Sequence, residues 1–284
     1  MRFLISNDDG VHAPGLLALY QALSTIGEVI VVAPHAEQSG TGSALTITHP
    51  LHTHTLPSGF VAVNGSPADC IYLALNELYA DFSFDCVITG INSGANLGQD
   101  VLYSGTFGAA LTAQLFGVPA IATSLVDGAH TIQSSDLQNS SLQNSNPSYE
   151  MAANEIVKLL TQTTIIETCK SLPYHVLNVN IPKVKNADEI QGRKITRLGH
   201  SKIAQPVRHM VDPRGRDAYW LSLRKDNVQN DDQAFLCTDF NQNINTDIQA
   251  IAAGYISVSP VRLHHTPDAA LSRCRALESE KSSQ

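Results

Sequence analysis

Five short apolar runs constrain this chain more than any other feature: Phe3–Ser6, Glu28–Ala33, Cys86–Thr89, Ala120–Ser124 and Val176–Asn180. A continuous apolar run bounded by turn residues reads as a strand buried on both faces. Helical spacing lies between them. Pro14-Gly15 opens a pattern through Leu16, Leu19, Tyr20 and Leu23, with proline suited to a first turn. Further helices are expected from about Ala68 to Leu78, Thr106 to Phe116 and Tyr149 to Gln162. Buried strands alternating with helices predict an α/β fold with a doubly wound, mostly parallel sheet. At 284 residues the chain can bury a sizeable core.

Residues 44–63 alternate enough for one or two strands, with a hairpin around Pro57-Ser58-Gly59. Residues 127–148 are rich in Ser, Asn and Gln and read as a mobile surface insertion. From 183 to 245 the chain is polar, with strand-like pieces such as Ala218–Leu223, and has too few periodic apolar residues to bury a core of its own. It is expected to protrude or to pack on another subunit. Residues 246–254 read as a helix, Tyr255–Ser259 as a strand returning to the sheet, and Pro267–Ser279 as a short helix or tail. The resulting organisation is a core over 1–182 carrying the 127–148 insertion, a protruding segment over 183–245, and a return with a tail over 246–284.

Ligands of open α/β sheets bind outside the carboxyl ends of the strands, and three polar loops leave such ends here. Asn7-Asp8-Asp9-Gly10 offers two carboxylates, Gln38–Ser43 offers Ser39, Thr41 and Ser43, and Gly90–Gly98 offers Asn92, Ser93 and Asn96. Adjacent side chains on a strand point to opposite faces, so Asp8 and Asp9 can share one target only where the strand ends and the chain turns. Gly10 can supply that turn. Carboxylates that converge repel each other unless a cation sits between them. An all-oxygen set suits a hard ion, Mg²⁺ or Mn²⁺, better than Zn²⁺. The Gly90–Gly98 loop has neither the P-loop pattern nor the dinucleotide fingerprint. The first turn of the helix near 106 offers Ser104, Gly105 and Thr106, whose free N–H groups suit phosphate oxygens, with Asn96 as a further candidate.

A net charge of −8 argues against a nucleic-acid polymer as partner. Cys70, Cys86, Cys169, Cys237 and Cys274 form no CxxC pair, which argues against a zinc site or a disulfide framework and for a reducing compartment. The opening apolar run is too short for a signal peptide and no run approaches a membrane span, so a soluble cytoplasmic protein is expected.

Asn7-Asp-Asp-Gly-Val-His-Ala-Pro-Gly15 resembles the opening signature of the SurE family, stationary-phase survival proteins that act as nucleotidases. The likeness continues through Gln38-Ser-Gly40 and Asn64–Cys70, and it is strongest at Gly90-Ile-Asn-Ser-Gly-Ala-Asn-Leu-Gly98 with Tyr103-Ser-Gly-Thr106. Asn178–Pro182, Thr196-Arg197, Asp212–Gly215, Thr246-Asp247 and Tyr255–Pro260 extend it to about residue 265. The resemblance implies a Rossmann-like core and C-terminal hairpins exchanged between subunits of a dimer or tetramer. It implies one divalent metal on Asp8, Asp9, Ser39 and Asn92, and hydrolysis of nucleoside monophosphates, with short polyphosphate also permitted. Ser66 stands where the family commonly has Thr, and the 127–148 insertion is longer than usual.

The mechanism expected is direct attack of water on phosphorus. Asp8-Asp9 is not the Asp-x-Asp of the haloacid-dehalogenase pattern, and either carboxylate could take the water's proton. The competing reading is a nucleotide- or sugar-phosphate-binding module without turnover. It would need the glycine loops and the helix N-terminus but not adjacent carboxylates.

Overall fold

A computed structural model describes residues 1–126, 147–184, 186–200, 207–221 and 244–262. Its centre is a nine-stranded sheet. The strands are β1 (Arg2–Ser6), β2 (Glu28–Pro34), β3 (Thr53–Thr55), β4 (Val61–Val63), β5 (Cys86–Ser93), β6 (Ala120–Leu125), β7 (His175–Ile181), β8 (Arg193–Ile195) and β11 (Ile256–Arg262), in the order β3-β4-β2-β1-β5-β6-β7-β11-β8. From β4 to β7 all neighbours are parallel, whereas β3, β11 and β8 run the other way. A separate antiparallel pair, β9 (Val207–Val211) and β10 (Asp217–Leu221), forms a hairpin. Among the described residues no helix is long and apolar enough to cross a membrane.

Alternation along β1 sorts its side chains between two apolar layers. Phe3 and Ile5 face α1 (Pro14–Leu23), α4 (Pro147–Gln162) and α5 (Ile165–Ser171). Leu4 faces α2 (Pro67–Leu73) and α3 (Gly105–Leu115). Phe3, Leu4, Ile5, Leu16 and Leu19 are fully buried, and each contributes roughly 1.5–3 kcal/mol by leaving water. Ser66 caps α2 in a reciprocal capping box with Asp69, so serine does here the work threonine would do.

One crossover has the unusual hand. β5→β6 and β6→β7 step the same way across the sheet. The first passes through α3 on the α2 side, and the second through α4 and α5 on the α1 side. β1→β2 steps the opposite way on the α1 side, so it shares the hand of β5→β6. With those two right-handed, as nearly all such units are, β6→β7 is left-handed. Its consequence is positional: the first turn of α4 lies beside α1 at the carboxyl edge of the sheet.

The doubly wound, mostly parallel α/β architecture is as expected, with several differences of detail. Residues 44–52 form no strand, and only 53–55 and 61–63 pair around the Pro57–Gly59 turn. β5 does not stop at Thr89 but runs to Ser93 through a register shift between Thr89 and Asn92. Helix α5 was not expected. The 183–245 segment is not wholly protruding: β8 joins the main sheet against β11, and Arg197 bridges to Thr246. β11 runs through Pro260 to Arg262, beyond the expected end at Ser259. Proline is tolerated there because β8 pairs only with Ile256–Val258, leaving that side of Pro260 without a ladder partner. Residues 127–146 of the expected insertion, and the 267–279 tail, lie outside the described residues.

Candidate functional site

The winding reverses at β1, which lies between β2 and β5, and the site forms at the carboxyl ends of these strands. Leaving β1, Asn7 donates from Nδ2 to Gly10 O (2.9 Å) and closes the turn. Gly10 sits at φ +100°, and a Cβ there would come within 3.3 Å of the Ala36 backbone. The alternation of β1 carries on into the two acids. Asp8 follows Leu4 and Ser6 to the α3 side, where Thr106 Oγ1 donates to its Oδ1. Asp9 goes to the α1 side, where its Oδ2 accepts from Ser93 N at 3.1 Å.

Asn92 reaches Asp8 through the shift in β5. Before the shift Cys86 and Ile88 face α1 and Val87 faces α2, whereas after it Ile91 faces α1. Slipping one residue turns every later side chain over. Asn92 therefore comes to the α3 side, with Oδ1 3.3 Å from Thr106 Oγ1. Its Nδ2 donates to Gly94 O (2.9 Å), which orients the amide oxygen inward. Gly90 makes the bend at φ +120°, where a Cβ would stand 2.2 Å from Thr123 O.

The β2 loop closes the third side. Gln38 N donates to Asp8 O (2.7 Å), so Ser39 follows directly on a residue tied to Asp8. The Ser39 hydroxyl is exposed and donates to Glu37 Oε1 (2.8 Å). Thr41 and Gly105 meet across the acid: a Cβ on Gly105 would lie 2.8 Å from Asp8 Cβ and 3.0 Å from Thr41 Oγ1.

The family model described as "Survival protein SurE" matches residues 3–205. A Psychrobacter cryohalolentis protein named "5'-nucleotidase SurE" is 69% identical over 280 residues, covering 98% of this chain and 99% of its own. An Acinetobacter baumannii protein of the same name is 41% identical over 276 residues, 97% of this chain and 99% of its own. The solved structure titled "Crystal Structure of Sure Protein from Aquifex aeolicus" superposes with a TM-score of 0.75 at 32% identity, covering 98% of this chain and all of that one.

The chain belongs to the SurE family.

Within this SurE chain Asp8, Asp9 and Asn92 gather at one spot, and the Ser39 loop is fastened to it by backbone. Those four residues form the oxygen set that could hold a hard divalent ion. Two observations suit such an ion. Asp8 is 4% exposed, and burial pushes its carboxyl up while the Thr106 hydroxyl and the amides of Gly105 and Thr106 oppose that rise. The Asn92 amide presents oxygen, not nitrogen, toward the acid. Among the described residues no three His, Cys, Asp or Glu cluster as a soft-metal site would.

The residues expected to receive phosphate are already engaged. Ser104 caps α3 by accepting from Phe107 N (3.0 Å). Thr106 gives its hydroxyl to Asp8, and the Gly105 and Thr106 amides stabilise the Asp8 carboxylate. The positive end of α3 therefore holds the acid in place. Asn96 is buried in a net of amides: its N–H donates to Asn180 Oδ1 (2.9 Å), its Nδ2 to Ser124 Oγ (3.0 Å), and its carbonyl accepts from Asn178 and Asn180. These bonds pin the Gly90–Gly98 loop to β6 and β7.

Sequence reasoning missed two residues that shape the site. Asp247, fully buried at the start of α6 (Asp247–Ala252), accepts from Gly98 N, Gly199 N (both 2.7 Å) and Ile248 N (2.8 Å), clamping the far end of the loop. The Thr246-Asp247 pair after a polar stretch was a readable capping signal. Tyr149, in the first turn of α4, hydrogen-bonds Ser93, and no local pattern marked it.

Proposed function

We propose that this protein is a metal-dependent phosphomonoesterase acting on nucleoside monophosphates, a 5'-/3'-nucleotidase, with short polyphosphate as a further substrate. The observation that carries the reading is the convergence of Asp8 and Asn92 on the Thr106 hydroxyl, with Asp9 held one residue along at Ser93. The names of the full-length relatives support nucleotide as substrate.

Asp8, Asp9, Ser39 and Asn92 would hold one Mg²⁺ or Mn²⁺, and that ion, when bound, polarises phosphorus and lowers the pKa of a water. The chain's own residues do the rest. Thr106 and the first-turn amides of α3 keep the Asp8 carboxylate in one orientation. Asn96, through Ser124, Asn178 and Asn180, keeps the loop carrying Asn92 in place. The N-terminal field of α3, from Ser104 through Thr106, favours the negative charge of a phosphoryl group beside it. Asp9 is more exposed than Asp8, so it is the carboxylate that can accept a proton from attacking water.

The exposed hairpin β9–β10 supports a homodimer or homotetramer. Tyr219, Trp220 and Leu221 are 66–76% exposed, and a lone two-stranded hairpin is marginal in water. Cys70, Cys86 and Cys169 are free buried thiols, in keeping with a cytoplasmic setting.

The test is hydrolysis of an aryl phosphate with Mn²⁺, with Mg²⁺ and with chelator, followed by a panel of 5'- and 3'-nucleoside monophosphates and short polyphosphate. Metal-dependent release of phosphate, fastest from nucleotides, is expected. Nucleotide binding without turnover under any metal would establish the binding-module alternative instead.

A further inference from the structure

Asp9 sits at the end of a short relay from α4. Tyr149 is 4% exposed, yet its hydroxyl finds a polar partner, the Ser93 side chain. The Ser93 backbone N–H in turn donates to Asp9 Oδ2 at 3.1 Å. The ring is wedged where three elements meet. A Cβ on Gly15 of α1 would fall 3.1 Å from Tyr149 Cε1 and 2.1 Å from Ile91 O at the end of β5. The rest of the buried face of α4 is apolar where it packs on α1, through Ala152, Ala153 and Ile156. A phenylalanine would fill the same space, so the hydroxyl needs a reason of its own. The left-handed β6→β7 crossover supplies the placement: on the usual face α4 would have started beside α3, away from Asp9.

We propose that Tyr149 is a positioning residue for Asp9, its hydroxyl holding Ser93 and thereby the carboxylate that completes the cation site. Burial keeps this phenol neutral and able to donate, since burial first and the Asp9 charge second push its pKa up. The inference rests on the metal reading above.

The experiment measures Mn²⁺ binding to the full chain by EPR of the free ion, for wild type, Y149F and S93A. Metal-free melting and turnover against Mn²⁺ are measured alongside. Y149F is expected to melt as wild type without metal and to bind Mn²⁺ roughly tenfold more weakly, the effect typical of losing an outer-shell partner. Half-maximal turnover shifts to higher Mn²⁺ by the same factor, while kcat at saturating Mn²⁺ holds. S93A reproduces the shift, and carries the test should Y149F not fold. Wild-type affinity in both variants overturns the role of Tyr149 alone. Absence of Mn²⁺ binding by wild type overturns the metal site and this proposal with it. A lowered metal-free melting temperature with unchanged Mn²⁺ affinity assigns Tyr149 to packing only and also overturns it.

Discussion

Thr106 donates its hydroxyl to Asp8 Oδ1 across 98 residues of sequence, and both partners are buried. The same oxygen lies 3.3 Å from Asn92 Oδ1, so one side chain of α3 ties the ends of β1 and β5 together. Hydrogen bonds to charged groups contribute about 1.5–3 kcal/mol, and a buried acceptor left unpaired costs a similar amount. Thr106→Val is expected to lower the melting temperature and to reduce turnover roughly 10–100-fold, while Thr106→Ser keeps both near wild type. Full activity in Thr106→Val at matched metal would remove this residue from the site.

Asp9 is only partly buried and makes its described hydrogen bond to a backbone amide. Asp9→Asn should therefore fold with an unchanged circular dichroism spectrum and lose activity by about 100-fold or more, since one of the two charges facing the ion is gone. Wild type should also melt later with Mn²⁺. Binding at a hundred times Kd adds about 2.7 kcal/mol, and chelator reverses it. Scanning calorimetry of Asp9→Asn with and without Mn²⁺ should show almost no shift. A wild-type-sized shift in the variant would put the ion elsewhere.

Gly105 touches the acid from above. Its missing Cβ leaves room for Asp8 Cβ and Thr41 Oγ1, at 2.8 and 3.0 Å from where it would stand. Gly105→Ala is expected to cost about 1–3 kcal/mol in a denaturant melt through overpacking, and to depress activity by more than that loss explains, because the atom displaced is the candidate ligand itself.

The three described cysteines should be silent. Burial pushes the Cys169 thiol up to about 12 and raises Cys70 and Cys86 well above the ordinary thiol range. At pH 8 only about one Cys169 in ten thousand is a thiolate, and the thiolate is the reactive form. Alkylation of native protein followed by peptide mapping should spare all three, while urea exposes them. Folded pKa values above the unfolded ones stabilise the native state fully below the ordinary thiol pKa. That stability is lost as pH rises toward 12, so melting temperature should fall through the alkaline range.

Trp220 is 69% exposed on a strand that pairs only with β9. If the hairpin seats on a second copy, Trp220→Arg should shift the protein to a smaller species in sedimentation velocity, with little change in the spectrum of the core. An unchanged sedimentation coefficient would locate the contact between subunits elsewhere.

The parallel strands, α1, α3 and the acidic turn after β1 were legible because each is written locally. An apolar run, a proline at a first turn and a glycine after two acids carry their meaning within ten residues. Strand-end logic likewise picked out the loops holding Asp8, Asp9, Ser39 and Asn92. The sequence did not say which way Asn92 points. Regular alternation would have sent it to the α1 face with Ile88, and only the register shift at Gly90-Ile91 turns it toward Asp8. Nor did the sequence show that the α3 amides are taken by Asp8, that Asp247 clamps Gly98, or that α4 crosses on the α1 side to bring Tyr149 beside Asp9. Local pattern determined the elements and the chemistry at their ends. Face, register and crossover hand depend on packing between residues a hundred positions apart, and only the folded chain decides them.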